Sequence, residues 1–382
     1  MDISIPAALS QELGQFRNFL VKHLLPDLPR WYRSGEVPRD FYRLMGAAGW
    51  FGFEAANGRL ERRSALREAL VMQHLAKVSG GVAVAMLVQS DLGLMGLHLF
   101  GSPVLQDRYA ASALAGDTLI CLGNTEARAG SDVAGIETTA RKVEGGWRLN
   151  GVKAYVTSGM ISDLALVTAV SEPDADRSRR ISMLLVDLGA PGVSRTRLHK
   201  QVWIPSDLTR LQFRDVFVPE DHRVGPSGRG IHQVLAIFTH SRVAISALTL
   251  GTAEGAFELA LTHAGRRTAF GRRLFEFQAK AFEMADLYAE LEAARLMLYK
   301  ACAAVEAGGD FRLEASLAKY LAVKCARRIS AWAADLFGAA SVVFEHPVHK
   351  FPMDAWGAAL GEGTQDIQKL VIFREMMKRL HP

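Results

Sequence analysis

The chain has 382 residues, 49% hydrophobic and 22% charged, a globular balance that excludes a disordered or low-complexity protein and, at roughly 100–200 residues per domain, points to two or three domains. Its 45 basic and 40 acidic side chains leave a formal charge of +5, a mild excess that suits a mixed-sign surface or anionic partners such as phosphates and acidic carrier proteins; without a basic run interleaved with aromatics it argues against nucleic acid. Three scattered cysteines, Cys121, Cys302 and Cys325, argue against a disulfide framework and fit a reducing compartment.

Met1-Asp2-Ile3-Ser4 lacks the cationic start and apolar run of a secretory leader, so a cytoplasmic protein is expected. Leu9, Leu13, Phe16, Leu20 and Leu24 recur at spacings of three and four, one face of an amphipathic helix that Pro26 and Pro29 end. Phe41, Leu44, Met45 and Ala48 make a second stripe, closed by Gly49. The most apolar stretch, 80–101, is interrupted by Gln89, Asp91 and His98 and predicts a buried helix, with no membrane span. Residues 1–115 read as a helical domain.

Over 116–225 the period switches to two. Residues 141–144 lead into a Gly145-Gly146 turn and Trp147-Arg148-Leu149; Asn150-Gly151, a tight-hairpin signal, precedes a strand over 153–157. Further strands are predicted over 164–170, 181–186 and 211–218, and 171–180 reads as an exposed loop. Strands in series with no helices between them predict an antiparallel sandwich or barrel. From 226 to 382 helical stripes run over 230–264, 276–306, 311–337 and 363–380, punctuated by Gly308-Gly309 and Gly338. Long helices with short connections predict an antiparallel bundle. The expected fold class is therefore α+β: a helical domain, an antiparallel β domain and a helical bundle.

Common motifs are missing. There is no G-x-G-x-x-G, so a Rossmann dinucleotide site is not expected. Gly146 and Gly151 have the P-loop spacing, but Val152 stands where the lysine belongs. C-x-x-C, H-E-x-x-H and G-x-S-x-G are absent, and His346 and His349 lack a third ligand, so no metal is expected. Three other clusters remain. Asn124-Thr125-Glu126-Ala127-Arg128-Ala129-Gly130-Ser131-Asp132 follows a strand; Gly130-Ser131 offers backbone amides and a hydroxyl to a phosphate, although an ordinary capped turn has the same composition. Arg267-Thr268-Ala269-Phe270-Gly271-Arg272-Arg273 joins two long helices, as a plain basic loop could. Gly361-Glu362-Gly363-Thr364 opens the last helix. Its glycines leave a ligand room to approach the carboxylate, while a helix N-terminal acid needs no ligand at all.

Together these clusters resemble the acyl-CoA dehydrogenase family over nearly the whole chain, most clearly over 117–382. Thr125-Glu126-x-x-Ala129-Gly130-Ser131-Asp132 is similar to its first signature, and Asn150-Gly151-x-Lys153-x-Tyr155-Val156-Thr157 to the strand pair that follows. Arg267-x-x-Phe270-Gly271 with Phe277-Gln278 resembles the R-x-x-F-G…F-Q segment, and Asp354-Ala355 with Glu362-Gly363-Thr364-x-x-Ile367-Gln368 the carboxyl-terminal signature. The resemblance implies a helical domain, a β domain and a four-helix bundle, with FAD bound without a Rossmann fingerprint. Leu122, Asn124 and Thr125 would lie along the flavin ring, with Gly130 and Ser131 at the pyrophosphate. Tyr155, where the family often has Trp, and Thr157 would cover the isoalloxazine. Thr364 would complete the cofactor site. Arg267, Phe270 and Gln278 would reach a neighbour's FAD, which implies a homodimer, usually paired into a tetramer.

By the same resemblance, two hydrogens leave the α and β carbons of an acyl thioester. Glu362 matches the base that takes the α proton while hydride passes to flavin N5. The family's alternative base position, before Arg242, is Ser241 here. Ser131, Thr239, Arg242 and Gly361 fall on the substrate side. Several positions depart from the pattern. Ala127-Arg128 replaces a Pro-containing pair, and Asp335 and Ala339 stand where Gln and Gly contact the neighbour's FAD. Thr239 replaces an acid that meets pantetheine, and Gly361 an aromatic residue beside the base, which would widen the acyl pocket. An acyl-CoA substrate with an electron-transfer flavoprotein as acceptor is the first expectation, in lipid metabolism. An acyl group on a carrier protein is the second. A flavin oxidase or monooxygenase, or a non-enzymatic relative, is disfavoured by Glu362.

Overall fold

A computed structural model of the chain describes residues 5–56 and 58–380; residues 1–4, on which the reading of the amino terminus rests, lie outside the described residues. The chain opens with helices α1 Ala7–His23, α2 Leu28–Ser34, α3 Arg39–Ala47, α4 Ala65–Val78, α5 Gly80–Leu87, α6 Met95–Phe100 and α7 Pro103–Leu114. The predicted face of α1 is the buried one, through Leu13, Phe16 and Leu20. Pro29 lies in the first turn of α2, where its missing N–H leaves nothing unpaired. A hairpin of strands β1 Phe53–Ala56 and β2 Arg59–Arg62 separates α3 from α4. The helical reading missed it because four-residue strands are too short to establish a period; the Asn57-Gly58 dipeptide was the available signal.

The predicted buried helix over 80–101 is one rod with an irregularity. Between α5 and α6, Val88–Leu94 winds as a π-helical turn, and every residue from Gly80 to Leu97 is buried. Such turns often mark functional sites, and this one faces the cavity described below. Gly80–Phe100 and Gly230–Arg266 are long and apolar enough to cross a membrane, yet 89% and 72% of their most apolar windows are buried inside the protein.

The middle unit contains β3 Ile120–Gly123, β4 Thr139–Val143, β5 Gly146–Thr157, β6 Leu164–Val170, β7 Ile181–Asp187, β8 Val193–Arg197, β9 Leu208–Pro219 and β10 Arg223–Val224. They form one sheet in the order β10-β7-β6-β4-β5-β9-β8, with β3 beside β6. Most pairs are antiparallel, as expected, but β3 and β4 both run parallel to β6. Connection 124–138 makes this possible, since a parallel arrangement needs a crossover in place of a tight turn.

Asn150-Gly151 is not the hairpin turn its sequence suggested. It lies inside β5, where the register against β9 shifts between Leu149 and Gly151. Gly151 has φ 148°, and a Cβ there would stand 2.7 Å from Thr138 Cα. Asn150 Oδ1 accepts from the Asp215 N–H at 2.8 Å. Glycine is thus required by a close approach at a β-bulge. The real hairpin is one step earlier, at Glu144-Gly145, between the paired Val143 and Gly146.

The last third is helical: α8 Gly230–Arg266, α9 Gln278–Glu306, α10 Arg312–Phe337, α11 Lys350–Ala358 and α12 Gln365–Leu380, with the small hairpin β11 Thr268–Ala269 and β12 Arg272–Arg273 after α8. The long stripes match α8, α9, α10 and α12; α11, nine residues long, was too short to show one. The central helix, α8, packs on α4, α9, α10 and α11. Gly251 and Gly255 bring it against α4, since a Cβ on them would stand 2.9 Å from Gln73 C and 2.6 Å from Lys77 O. One apolar core runs through all three units.

Candidate active site

A cavity of about 140 Å³ opens where the π-helical turn, β3, β5, α8 and the loop before α12 meet. Its polar lining is Asn124, Thr125, Tyr155, Thr157 and Glu362, so the structure brings together residues more than 230 positions apart in the chain. Leu122 and Gly361 also line it. Trp203, Phe238 and the apolar side chains Val84, Leu87, Val88 and Leu92 complete it.

The β side of the wall is set by a second bulge in β5, between Lys153 and Val156. Tyr155 sits at this bulge with φ 56°, a left-handed conformation that costs on the order of 1–3 kcal/mol and tends to persist at functional sites. Its side chain remains 62% exposed, standing over the opening and not in the core. Beneath it Lys153 is fully buried. Its Nζ donates to Glu126 Oε1 at 2.7 Å and to Asn124 O at 3.1 Å. Burial pushes the lysine down to about 8, against the pull of Glu126. Glu126 also accepts from the N–H groups of Glu137 and Thr138, at 2.7 and 3.0 Å. Burial works against its charge, but Lys153 and these donors hold it below the usual carboxylate range. The pair therefore fastens both ends of the 124–138 connection under the cavity.

Glu362 occupies the opposite wall with φ 49°, next to Gly363 at φ 94°. Lys319 on α10 is fully buried and donates to Gly361 O and Gly363 O on either side of it. Arg242 on α8 donates Nε to Glu362 O at 3.2 Å, and Gln368 donates to the same carbonyl at 3.2 Å. Two cations thus grip the loop by its carbonyls and leave the carboxylate to the cavity. Burial raises the Glu362 carboxyl above its usual value, and Lys319 and Arg242 oppose the rise. Among the described residues, the Glu362 backbone N–H has no protein acceptor. The spacing of Ala315, Ala318 and Ala322 marks a buried face of α10, and a lysine within that face is the sequence signal by which Lys319 could have been found.

A larger cleft of about 760 Å³ lies on the other side of Arg242. It is lined by Ser131, Thr239, Arg312, Arg374 and Lys378. Thr239 turns its hydroxyl back to Leu235 O at 2.8 Å, within its own helix. Thr364 starts α12, accepting from the Ile367 N–H at 3.4 Å. Gly130 has nothing within 4 Å of where a Cβ would project, leaving the backbone beside Ser131 open. Arg267, Phe270 and Gln278 are not brought to either cavity. Arg267 precedes the β11–β12 hairpin, Phe270 stands at its turn and Gln278 opens α9; all three are exposed, with Phe270 96% accessible and at φ 51°.

The donor set fits a flat heteroaromatic ring with acceptors at its edge. Among the described residues, neither the Thr125 nor the Thr157 hydroxyl meets a protein partner, and the exposed Tyr155 lines the same cavity.

The family models of the acyl-CoA dehydrogenase N-terminal, middle and C-terminal domains match residues 11–117, 121–216 and 228–377. The chain is 31% identical over 366 residues to a benzylmalonyl-CoA dehydrogenase of Aromatoleum aromaticum, covering 94% of this chain and 96% of that one. Its fold is similar to that of butyryl-CoA dehydrogenase from Megasphaera elsdenii, with a TM-score of 0.93 at 27% identity over 99% of this chain and all of that one. It is equally similar to PigA, solved with FAD and proline, with a TM-score of 0.94 at 27% identity over 99% and 100%.

Proposed function

This chain belongs to the acyl-CoA dehydrogenase family, an FAD-dependent oxidoreductase of CH–CH groups, and on that premise we propose that Glu362 is the base in the α,β-dehydrogenation of an acyl-CoA with an apolar acyl group. The observation that carries this reading is a carboxylate fixed by its neighbours' carbonyls so that it faces a wall of unpartnered hydroxyls across one small cavity. FAD, when bound, supplies the acceptor for the hydrogen that leaves the β carbon as hydride. Glu362 takes the α proton, becoming a carboxylic acid as the C–H electron pair moves into the new double bond. Its backbone N–H, without a protein acceptor among the described residues, is available to donate to the thioester carbonyl and so acidify that proton. Away from Glu362, the substrate side of the cavity is apolar, so a second charge on the acyl group would stay unpaired and carry a large desolvation cost.

The cleft beyond Arg242 suits the remainder of the thioester, with Arg312, Arg374 and Lys378 available to phosphate. A carrier-protein substrate is the second reading, suggested by Thr239 and by Arg177, Arg179 and Arg180. Arg177 pairs with Asp132, however, and Arg180 donates to Ala134 O at 2.8 Å. Two of the three arginines thus brace the 132–135 turn, which favours coenzyme A. Anaerobic flavin bleaching by matched acyl-CoA and acyl-carrier substrates decides between them. Acyl-CoA is expected to be the better substrate, and a carrier-bound acyl group reduced more efficiently would reverse the assignment. We take an electron-transfer flavoprotein as the acceptor and the cytoplasm as the location.

The raised Glu362 carboxyl fixes the sign of the pH dependence. The base must be ionised, so single-turnover flavin reduction should fall as pH drops and rise through an inflection above the ordinary value of 4.5. A rate that is flat or declines across that range contradicts the assignment.

The exposed hairpin residues support a homodimer or a homotetramer built from such dimers. If Arg267 serves a partner subunit's FAD, Arg267→Ala should lower bound FAD per chain and loosen the oligomer together, because a ligand bound across the interface stabilises both. Light scattering with flavin absorbance measures both quantities; full flavin content with an unchanged oligomer would remove Arg267 from the site.

A further inference from the structure

Gly361 was expected to widen the acyl cavity, yet the space beside it is not empty. Trp203, on the loop between β8 and β9, reaches across from the β unit and lines the cavity. A Cβ on Gly361 would stand 3.9 Å from its Cη2. The indole lies in a slot cut by glycines from separate elements: Gly80 at the start of α5 would place a Cβ 3.2 Å from Cδ1, and Gly357 on α11 would place one 3.3 Å from Cε2. The side chain is only 9% exposed. Its backbone is at φ 51°, a strained conformation for a tryptophan. Buried Asp354 holds it there, accepting from the Trp203 N–H at 2.7 Å. Lys200 on the same loop donates to Trp203 O at 2.6 Å. Strain, two backbone anchors and a glycine slot all serve to place one ring edge beside the residue that precedes the base.

From this arrangement, and resting on the dehydrogenase reading above, we infer that Trp203 is the specificity-determining wall of the acyl cavity, supplying the bulk that residue 361 lacks and limiting the length of the acyl group. A fixed apolar wall discriminates by about 10–200-fold per methylene that must be forced past it. The wall is also on a different unit from the base, so it can be changed without substituting any residue of the loop that Lys319 holds.

The test is calorimetric binding of butanoyl-CoA and octanoyl-CoA to the FAD-loaded protein, with flavin reduction by each followed separately. Trp203→Ala should raise the octanoyl-to-butanoyl ratio of association constants by at least about tenfold. Gly361→Phe in the Trp203→Ala background should return the ratio toward that of the wild type, a rescue that a merely structural tryptophan would not show. Trp203→Leu, a smaller cut in volume, serves if the alanine variant does not fold, and should shift the ratio in the same direction. A ratio that stays within about twofold in folded, flavin-loaded variants, or binding indifferent to chain length in the wild type, overturns the inference. Binding that follows the prediction without flavin reduction by either thioester would instead sink the dehydrogenase reading and leave the wall in place.

Discussion

Glu362→Gln is expected to slow flavin reduction by an acyl-CoA by about 10²–10⁴-fold, or roughly 3–5 kcal/mol at the transition state. Glutamine keeps the size and polarity of the side chain and leaves the backbone N–H in place, but it cannot accept the α proton. FAD content and thioester binding should therefore be retained. Ser241, before Arg242, carries no carboxylate, and Tyr155, across the cavity from Glu362, stands over the opening. Single-turnover reduction is the measurement to make, because product release can hide the step in the steady state. Near-wild-type reduction would show that another group takes the proton. It would also reopen the oxidase and monooxygenase readings, which this carboxylate disfavours.

Lys319→Met should produce the second-largest loss, about 10²-fold in the same reaction, through position and not through direct proton transfer. Methionine fills a similar volume but leaves the Gly361 carbonyl without a donor and the Gly363 carbonyl with Gln368 alone. Each buried carbonyl left unpaired costs about 1–3 kcal/mol. The Glu362 backbone, held at φ 49°, would relax, and a misplacement of about 1 Å at a reacting group can cost about 10²-fold. Lys319 also favours the ionised form of Glu362. Its removal should move the acid limb of the pH–rate profile upward, because the carboxyl then keeps its proton to a higher pH. Loss of rate with an unmoved acid limb would confine Lys319 to holding the fold together. Unchanged rate and limb together would show that Arg242 and Gln368 hold the loop unaided.

Much of this site is legible in the amino-acid sequence. Hydrophobic period is a local property, so α8, α9, α10 and α12 showed themselves as stripes. The residues of the cavity's polar wall stood in recognisable clusters, and the fold brings Asn124, Thr125, Tyr155, Thr157 and Glu362 to one place. What escaped the sequence is what depends on contact between distant segments. Asn150-Gly151 has the local composition of a turn, and only Thr138 pressing on Gly151 makes it a bulge instead. Lys319 looks like an ordinary lysine until the carbonyls it holds are seen, and Lys153, although it stood in a signature, gave no sign of its contact with Glu126. Trp203 carried no motif at all, and its role follows from glycines 80, 357 and 361 surrounding one ring.

The length of α8 sets a limit on how this chain can change. Phe238 on the cavity, Thr239 on the cleft and Arg242 on the loop carbonyl all lie on one rigid rod whose lower half is locked to α4 by Gly251 and Gly255. One residue inserted between Arg242 and Gly251 would rotate the upper half by about 100° and advance it by about 1.5 Å. That would carry Phe238 off the cavity and Arg242 off Glu362 in a single event, with no side-chain substitution able to restore both. The exposed loop over 171–180 has no such constraint on its length. Insertions and deletions should therefore accumulate there, while the stretch of α8 between Arg242 and Gly251 changes only by substitution, and a library built with single-codon insertions should show this as a sharp gap in recoverable flavoprotein.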